Sequence, residues 1–171
     1  MMEKILIVDD DEGLVHFLKR FFARQEYEVK SCGSGREAID LVSREAFDLI
    51  LMDYKMPGMN GLDTLSEIRR LQVKTPIIVM TAYGTMDTAI EAMKLGAYDY
   101  ILKPFDGSEL QRVARDAMEV NRLMKEVVSF RLLSARLRSP PGEMSRSSAA
   151  TGACRRFSRS SGRLPPRMSR C

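Results

Sequence analysis

Short apolar runs alternate with amphipathic stretches along most of the chain. The strand-like runs are Lys4–Asp9, Tyr27–Cys32, Asp48–Asp53, Pro76–Thr81 and Tyr98–Leu102. The first, third and fourth are almost wholly apolar, as strands covered on both faces are. Between them, Glu12–Arg24 gathers Val15, Leu18 and Phe22 on one helical face, and Gly35–Arg44 gathers Ala38, Ile39 and Val42. Leu62–Leu71 gathers Leu65, Ile68 and Leu71, and Thr85–Leu95 gathers Ala89, Ile90 and Met93. These are core-facing stripes at helical spacing, and Gly96 suits a left-handed helix cap. Repeated strand–helix alternation predicts an α/β fold with a five-stranded parallel sheet, helices on both faces and right-handed crossovers. Ligands of such sheets bind beyond the carboxyl ends of the strands, so chemistry is expected there.

A last helix is expected to open at Asp106–Ser108. In it Leu110, Val113, Ala117, Val120, Met124 and Val127 alternate three and four apart, a heptad seam. Its early members are expected on the sheet. From about Val120 a monomer offers nothing to cover them, so this extension is expected to pair two chains. Past about Leu137 the pattern ends, and residues 139–171, rich in Ser, Arg, Pro and Gly, read as disordered. The expected division is a domain over 1–120, a helical, coiled-coil-like linker over 121–137 and a basic tail over 138–171.

The net charge of +4 conceals that division. Up to Phe130, 17 Lys and Arg face 22 Asp and Glu, whereas from Arg131 onward 10 Arg face the single Glu143. A basic arm can bind nucleic acid, yet no helix-turn-helix pattern is present, and DNA binding is not assigned to this chain. No apolar run approaches the roughly 20 residues of a membrane span, and the run after the first residues is too short for a signal-peptide core. A cytoplasmic protein with no membrane partner is expected. Cys32, Cys154 and Cys171 lack metal-ligand spacing, and their odd count argues against a disulfide framework.

The predicted strand ends carry the chemistry. Asp9, Asp10 and Asp11 follow the first run, Asp53 ends the third, Thr81 ends the fourth, and Lys103–Pro104 follow the fifth. Clustered carboxylates repel unless a cation joins them, and hard oxygen ligands suit Mg²⁺. Such a metal would neutralise and orient an incoming phosphoryl group. Asp53 is then the natural nucleophile, because carboxylates form aspartyl phosphates. Lys103 can pair with that carboxylate, and the Thr81 hydroxyl can donate to a phosphoryl oxygen. Phosphoryl transfer needs little more than positioning and charge stabilisation. Each residue also has a plainer reading. Asp9 to Asp11 suit a helix cap, Asp53 suits a turn before Pro-Gly, Thr81 suits a strand, Lys103 a solvated charge and Tyr100 the core. Together these plainer readings require coincidences at one rim.

The segments ILIVDDDE (Ile5–Glu12), LILMDYKMPGMNGLD (Leu49–Asp63), PIIVMTAYG (Pro76–Gly84) and GAYDYILKPF (Gly96–Phe105) resemble the receiver domain of bacterial two-component response regulators. The resemblance covers roughly Glu3 to Met124 and extends to nitrogen-regulation-type activators of sigma-54 polymerase. It implies a flavodoxin-like, doubly wound fold with an extended C-terminal helix. It implies that Asp9, Asp10, Asp53 and the backbone carbonyl of Lys55 hold Mg²⁺, with Asp11 outside that pocket, and that Asp53 accepts phosphate from a sensor histidine kinase. Thr81 and Lys103 become the switch hydroxyl and the family lysine. Tyr100 becomes the aromatic switch and Ala82 the small residue admitting the phosphate. Lys103–Pro104 matches a peptide that is usually cis. Lys55 and Tyr83 occupy positions that tune phosphoryl lifetime, and bulky Tyr83 is expected to shield the acyl phosphate. The linker is expected to form a homodimer, as in many such regulators. The domain is expected to assist its own phosphotransfer and dephosphorylation without being a turnover enzyme.

Rival readings meet specific obstacles. A haloacid-dehalogenase-type phosphatase needs a second Asp two residues after the nucleophile, where Lys55 stands. A flavodoxin-like cofactor carrier needs a Ser/Thr/Gly loop where Asp10–Asp11–Glu12 stand. No phosphate-cradling loop ending in Gly-Lys-Ser/Thr is present. The lone His16 is expected to face solvent, and Cys32 to be an inert buried residue. One permitted back-translation of Met144–Leu164, read one base earlier, resembles the start of the ATPase domain of sigma-54 activators. On that reading the basic tail is an out-of-frame product.

Overall fold

Strands and helices alternate strictly in the computed structural model, which describes residues 2–82, 84 and 86–138, with 131–138 given by backbone alone. In chain order they are β1 (Lys4–Val8), α1 (Glu12–Ala23), β2 (Glu28–Cys32), α2 (Gly35–Arg44), β3 (Leu49–Asp53), α3 (Gly61–Arg70), β4 (Ile77–Thr81), α4 (Met86–Lys94), β5 (Asp99–Leu102) and α5 (Gly107–Arg138). All five strands are parallel in the order β2-β1-β3-β4-β5. β3 therefore lies in the centre, and every residue of β3 and β4 is buried. The tail read as basic and disordered lies outside the described residues, as do Tyr83 and Thr85.

Side chains alternate across a strand, so each strand feeds two cores. Leu6, Val8, Ile50, Met52 and Val79 meet α2 and α3 through Ala38, Val42, Leu65 and Ile68. Ile5, Ile7, Leu51, Ile78 and Met80 meet Leu18 and Phe22 of α1 and Leu110, Val113 and Ala117 of α5. Each such aliphatic side chain contributes roughly 1.5–3 kcal/mol by leaving water.

Polar residues set the helix ends. Asp11 caps α1, its Oδ1 accepting the N–H groups of Gly13 at 2.9 Å and Leu14 at 3.1 Å. Asn60 caps α3, its Oδ1 accepting the N–H of Asp63 at 2.8 Å. After α4, Gly96 takes φ +94°. Gly96 N donates to the Met93 carbonyl at 3.1 Å and Ala97 N to that of Ala92 at 2.9 Å, closing the helix as a left-handed cap should. The Arg69 guanidinium then ties this cap to the loop after α3. Its Nη2 donates to the Gly96 carbonyl at 2.8 Å and its Nη1 to the carbonyls of Val73 at 2.7 Å and Thr75 at 2.9 Å.

The α4 stripe differs from the sequence pattern. Ala92 is the buried residue of this helix, while Ile90 and Met93 are 46% and 47% exposed. The reason is position: α4 runs beside β5, the sheet edge, and among the described residues no element beyond it covers those side chains. Leu71, expected in the α3 stripe, lies past its last turn and is exposed.

α5 is one uninterrupted helix. Its early seam members Leu110, Val113 and Ala117 are buried with Ala114 and Met118, while Val120, Met124 and Val127 are exposed. Apart from Asn121, which with Lys125 bonds Asp48, the described side chains of this later part are exposed. Among the described residues no helix is long and apolar enough to cross a membrane.

Candidate functional site

The carboxyl rim of the sheet gathers the polar strand ends. Asp9 follows β1 and Asp53 ends β3, and both are buried, at 3% and 6% exposure. Lys103 follows β5 and reaches between them, its Nζ lying 2.8 Å from Asp9 Oδ2 and 2.5 Å from Asp53 Oδ1. The remaining oxygens bond to backbone. Asp53 Oδ2 accepts the N–H of Lys55 at 2.8 Å, and Asp9 Oδ1 accepts that of Asp11 at 2.9 Å. Both carboxylates are thus held in one orientation, with Lys103 as their shared counter-charge. The Lys103–Pro104 peptide is cis.

Burial raises the Asp53 carboxyl above its ordinary range, outweighing the lowering by Lys103, and the Asp9 charge adds to the rise. The Lys103 ammonium moves the other way from its burial. Desolvation works to lower it, yet the hydrogen bonds and charges of Asp53 and Asp9 carry it above its ordinary value. Burial pushes the Cys32 thiol up to about 11. Such a thiol is inert at neutral pH, in line with its reading as a core residue.

A candidate cation site lies on the open side of this cluster. Carboxylate oxygens of Asp9, Asp10 and Asp53 lie within 4.8 Å of one another, and Asp10 is exposed. The donors are all hard carboxylate oxygens and Asp10 is exposed, which fits a divalent cation that keeps several waters. Asp11 does not join this group. Its side chain is spent on the α1 cap, so the capping reading holds for Asp11 and not for its two neighbours.

The other expected residues fall around this centre. Thr81 ends β4 at 5% exposure, and its carbonyl accepts the N–H of Lys103 at 2.7 Å. Ala82, next along, is exposed. Tyr100 lies on β5 with its side chain 40% exposed, so its ring is at the surface rather than in the core. Lys55 is exposed beside Asp53, and Tyr83 is outside the described residues. His16 is exposed on α1, as the sequence suggests.

One participant was given no role from the sequence. A Cβ on Gly61 would lie 2.2 Å from the Asp53 carbonyl oxygen and 3.0 Å from Tyr54 Cα. Its N–H donates to the Tyr54 carbonyl at 2.9 Å. The start of α3 is therefore seated directly against the backbone of Asp53 and Tyr54. The signal was present in Asn60–Gly61, an N-cap followed by a residue without a side chain.

Residues 5–115 match the family described as the response regulator receiver domain. The chain belongs to this family. Among its relatives is the regulatory protein AtoC of Escherichia coli, 40% identical over 126 residues, which are 74% of this chain and 27% of AtoC. The response regulator protein PilR of Pseudomonas aeruginosa is 35% identical over 158 residues, covering 86% of this chain and 35% of PilR. The chain thus spans about a third or less of these regulators. It matches nearly all of a smaller relative, the sporulation initiation phosphotransferase F of Bacillus subtilis, at 40% identity over 70% of this chain and 93% of that one. Among solved structures, a CheY-like response regulator receiver domain protein from Methanospirillum hungatei superposes with a TM-score of 0.70 at 27% identity, covering 72% of this chain and 99% of that one. NtrX from Brucella abortus gives 0.70 at 29% identity, over 76% of this chain and 30% of that one. The five-stranded parallel receiver fold and the response regulator family are thereby shown.

Proposed function

We propose that the chain is a phosphorylation switch in which Asp53 takes a phosphoryl group from the phosphohistidine of a sensor kinase. The observation that carries this reading is the bridging of buried Asp9 and Asp53 by Lys103 beside an open group of carboxylate oxygens. In the transfer one Asp53 oxygen forms a bond to phosphorus as the phosphorus–nitrogen bond of the donor breaks. The imidazole leaves with that electron pair. Asp9, Asp10, Asp53 and the Lys55 carbonyl would hold Mg²⁺, which when bound supplies positive charge against the phosphoryl oxygens.

The chain's own groups then divide the work. Asp53 is already oriented by the Lys55 N–H and Lys103. Lys103 can stay on Asp9 while following charge onto a phosphoryl oxygen. Thr81 offers a hydroxyl at the same rim, and exposed Ala82 leaves room beside it. Movement of Thr81 toward the phosphoryl group would make space for the Tyr100 ring to turn inward. Lys55 and Tyr83 are read as setting the lifetime of the acyl phosphate, and Tyr83→Ala should then lose its phosphoryl group faster than the parent. The kinase partner and a location in the cytoplasm follow from this chemistry. An output through a sigma-54-type activator is supported by the similarity to longer regulatory proteins.

The exposed stripe Val120, Leu123, Met124 and Val127 supports a homodimer through the linker. Sedimentation of the parent against Met124→Glu/Val127→Glu tests this, and equal masses would rule it out. The switch itself is tested by incubation with acetyl phosphate and Mg²⁺ followed by intact mass. One added phosphoryl mass that requires Mg²⁺ and vanishes in Asp53→Asn is expected. No uptake by a folded parent would leave a binding module without receiver chemistry.

A further inference from the structure

The other end of β3 carries a second polar constellation, on the opposite side of the sheet from the acceptor. Asp48 immediately precedes β3. Its backbone N–H donates to the Lys4 carbonyl at 2.7 Å, and its Oδ2 accepts the Lys4 N–H at 2.8 Å. Asp48 is thereby fixed to the start of β1. Two further acceptors on Asp48 face α5. Its carbonyl accepts Nδ2 of Asn121 at 3.1 Å, and its Oδ1 lies 2.5 Å from Lys125 Nζ.

Asn121 and Lys125 stand one turn apart and so share a helix face. Asn121 is 8% exposed at the end of a stripe otherwise made of Ala114, Ala117 and Met118. A buried amide is costly without a partner, and here the Asp48 carbonyl supplies one. An apolar contact tolerates small slides and rotations, because any methyl can replace another. This contact does not. Advancing the helix by one residue would present Arg122 to the site, and retreating would present Val120.

We propose that Asp48, Asn121 and Lys125 form a register lock that fixes the rotation and exit direction of α5 as it leaves the domain. The stripe of Val120, Leu123, Met124 and Val127 begins within this lock and is exposed beyond it. Its direction relative to the sheet is then set by Asp48, not by the flexibility of a loop. Whatever the helix joins is carried at a defined angle to the receiver. This inference does not depend on Asp53 chemistry or on the identity of the partner.

Hydrogen exchange of the full chain, read on a peptide covering residues 119–130, tests it. Lys125→Met keeps the aliphatic stem and removes the charge. Asp48→Asn keeps an acceptor for the Lys4 N–H and removes the charge that attracts Lys125. In both, that peptide should exchange about two- to fivefold faster, the size expected for a half-exposed charged hydrogen bond. Peptides covering 49–53 and 77–81 should be unchanged, and phosphoryl uptake at Asp53 should persist. Lys125→Arg should restore parental protection. Unchanged exchange of 119–130 in both charge-removing variants would overturn the lock. Faster exchange in the charge-removing variants that disappears on tenfold dilution would also overturn it, because lost self-association, not the lock, would then be its source.

Discussion

Replacing Gly61 by alanine tests how closely the site depends on the seat of α3. The added Cβ would meet the Asp53 carbonyl oxygen at 2.2 Å, Tyr54 Cα at 3.0 Å and the Asp53 carbonyl carbon at 3.1 Å. All are backbone atoms, so no side chain can rotate aside. Restoring ordinary contact requires a displacement of about 1 Å between the start of α3 and the end of β3. That displacement would stretch the Gly61-to-Tyr54 hydrogen bond of 2.9 Å. Overpacking of this kind costs roughly 1–3 kcal/mol. The greater helix preference of alanine and the stiffer unfolded chain return roughly 0.5–1 kcal/mol. A net loss of about 1–2 kcal/mol is expected, roughly a 5- to 30-fold fall in the folded-to-unfolded ratio. Because Asp53 moves, phosphoryl uptake should slow as well. Gly58→Ala is the control. Gly58 has φ +80° and open space around its Cβ, so its cost is backbone strain of about 1–2 kcal/mol with uptake preserved. Urea unfolding by circular dichroism and intact-mass uptake of acetyl phosphate measure both effects. A Gly61→Ala protein with parental stability and parental uptake would refute the reasoning.

Lys103→Met removes the cation shared by Asp9 and Asp53, whose side chains are 1% and 9% exposed. Without divalent cations this should destabilise by about 3–5 kcal/mol, and Mg²⁺ should recover part of the loss; a variant as stable as the parent in chelator would contradict that. With the Asp53 pKa raised above 3.8, its proton binds the folded state more tightly than the unfolded one. That contribution is present below 3.8 and lost as pH rises through the raised value. In chelator, the unfolding midpoint of the parent minus that of Asp53→Asn should therefore fall as pH climbs through that window, and a rise would show the opposite shift. The Cys32 thiol, raised from 9.0 to about 11, should hold about 100-fold less thiolate at neutral pH than an ordinary cysteine. Peptide-mapped alkylation of Cys32 should be correspondingly slow until urea unfolds the chain, and rapid native labelling would contradict its burial.

The sheet was legible because β1, β3 and β4 are apolar along their whole length, which only a doubly covered strand tolerates. The rim was legible because Asp9, Asp53 and Lys103 each stand at a strand end. The place of Asp11 outside the carboxylate group came from the resemblance, not from the residues alone. Whether Asp10 or Asp11 caps α1 depends on where the helix turns, and local spacing does not fix that. Exposure of Ile90 and Met93 was equally hidden, since periodicity marks a face without saying whether anything covers it. The Asp48–Asn121–Lys125 contact joins residues far apart in sequence, and no local pattern announces it.

The uncovered side of α4 bears on how much work the switch must do. Met86, Ile90 and Met93 are in water already, as are Tyr100 and Leu102 on the neighbouring strand. Ala92 is the buried residue of this helix, while Arg69 holds the Gly96 carbonyl at its far end. In the proposed switch the mooring would act as a fulcrum and the free end as the load. Reversing a two-state balance from 1:99 to 99:1 takes about 5.5 kcal/mol of differential binding. Hydrogen bonds to a charged group supply about 1.5–3 kcal/mol each. Two to four new bonds at one rim would supply an energy of that order for the proposed switch.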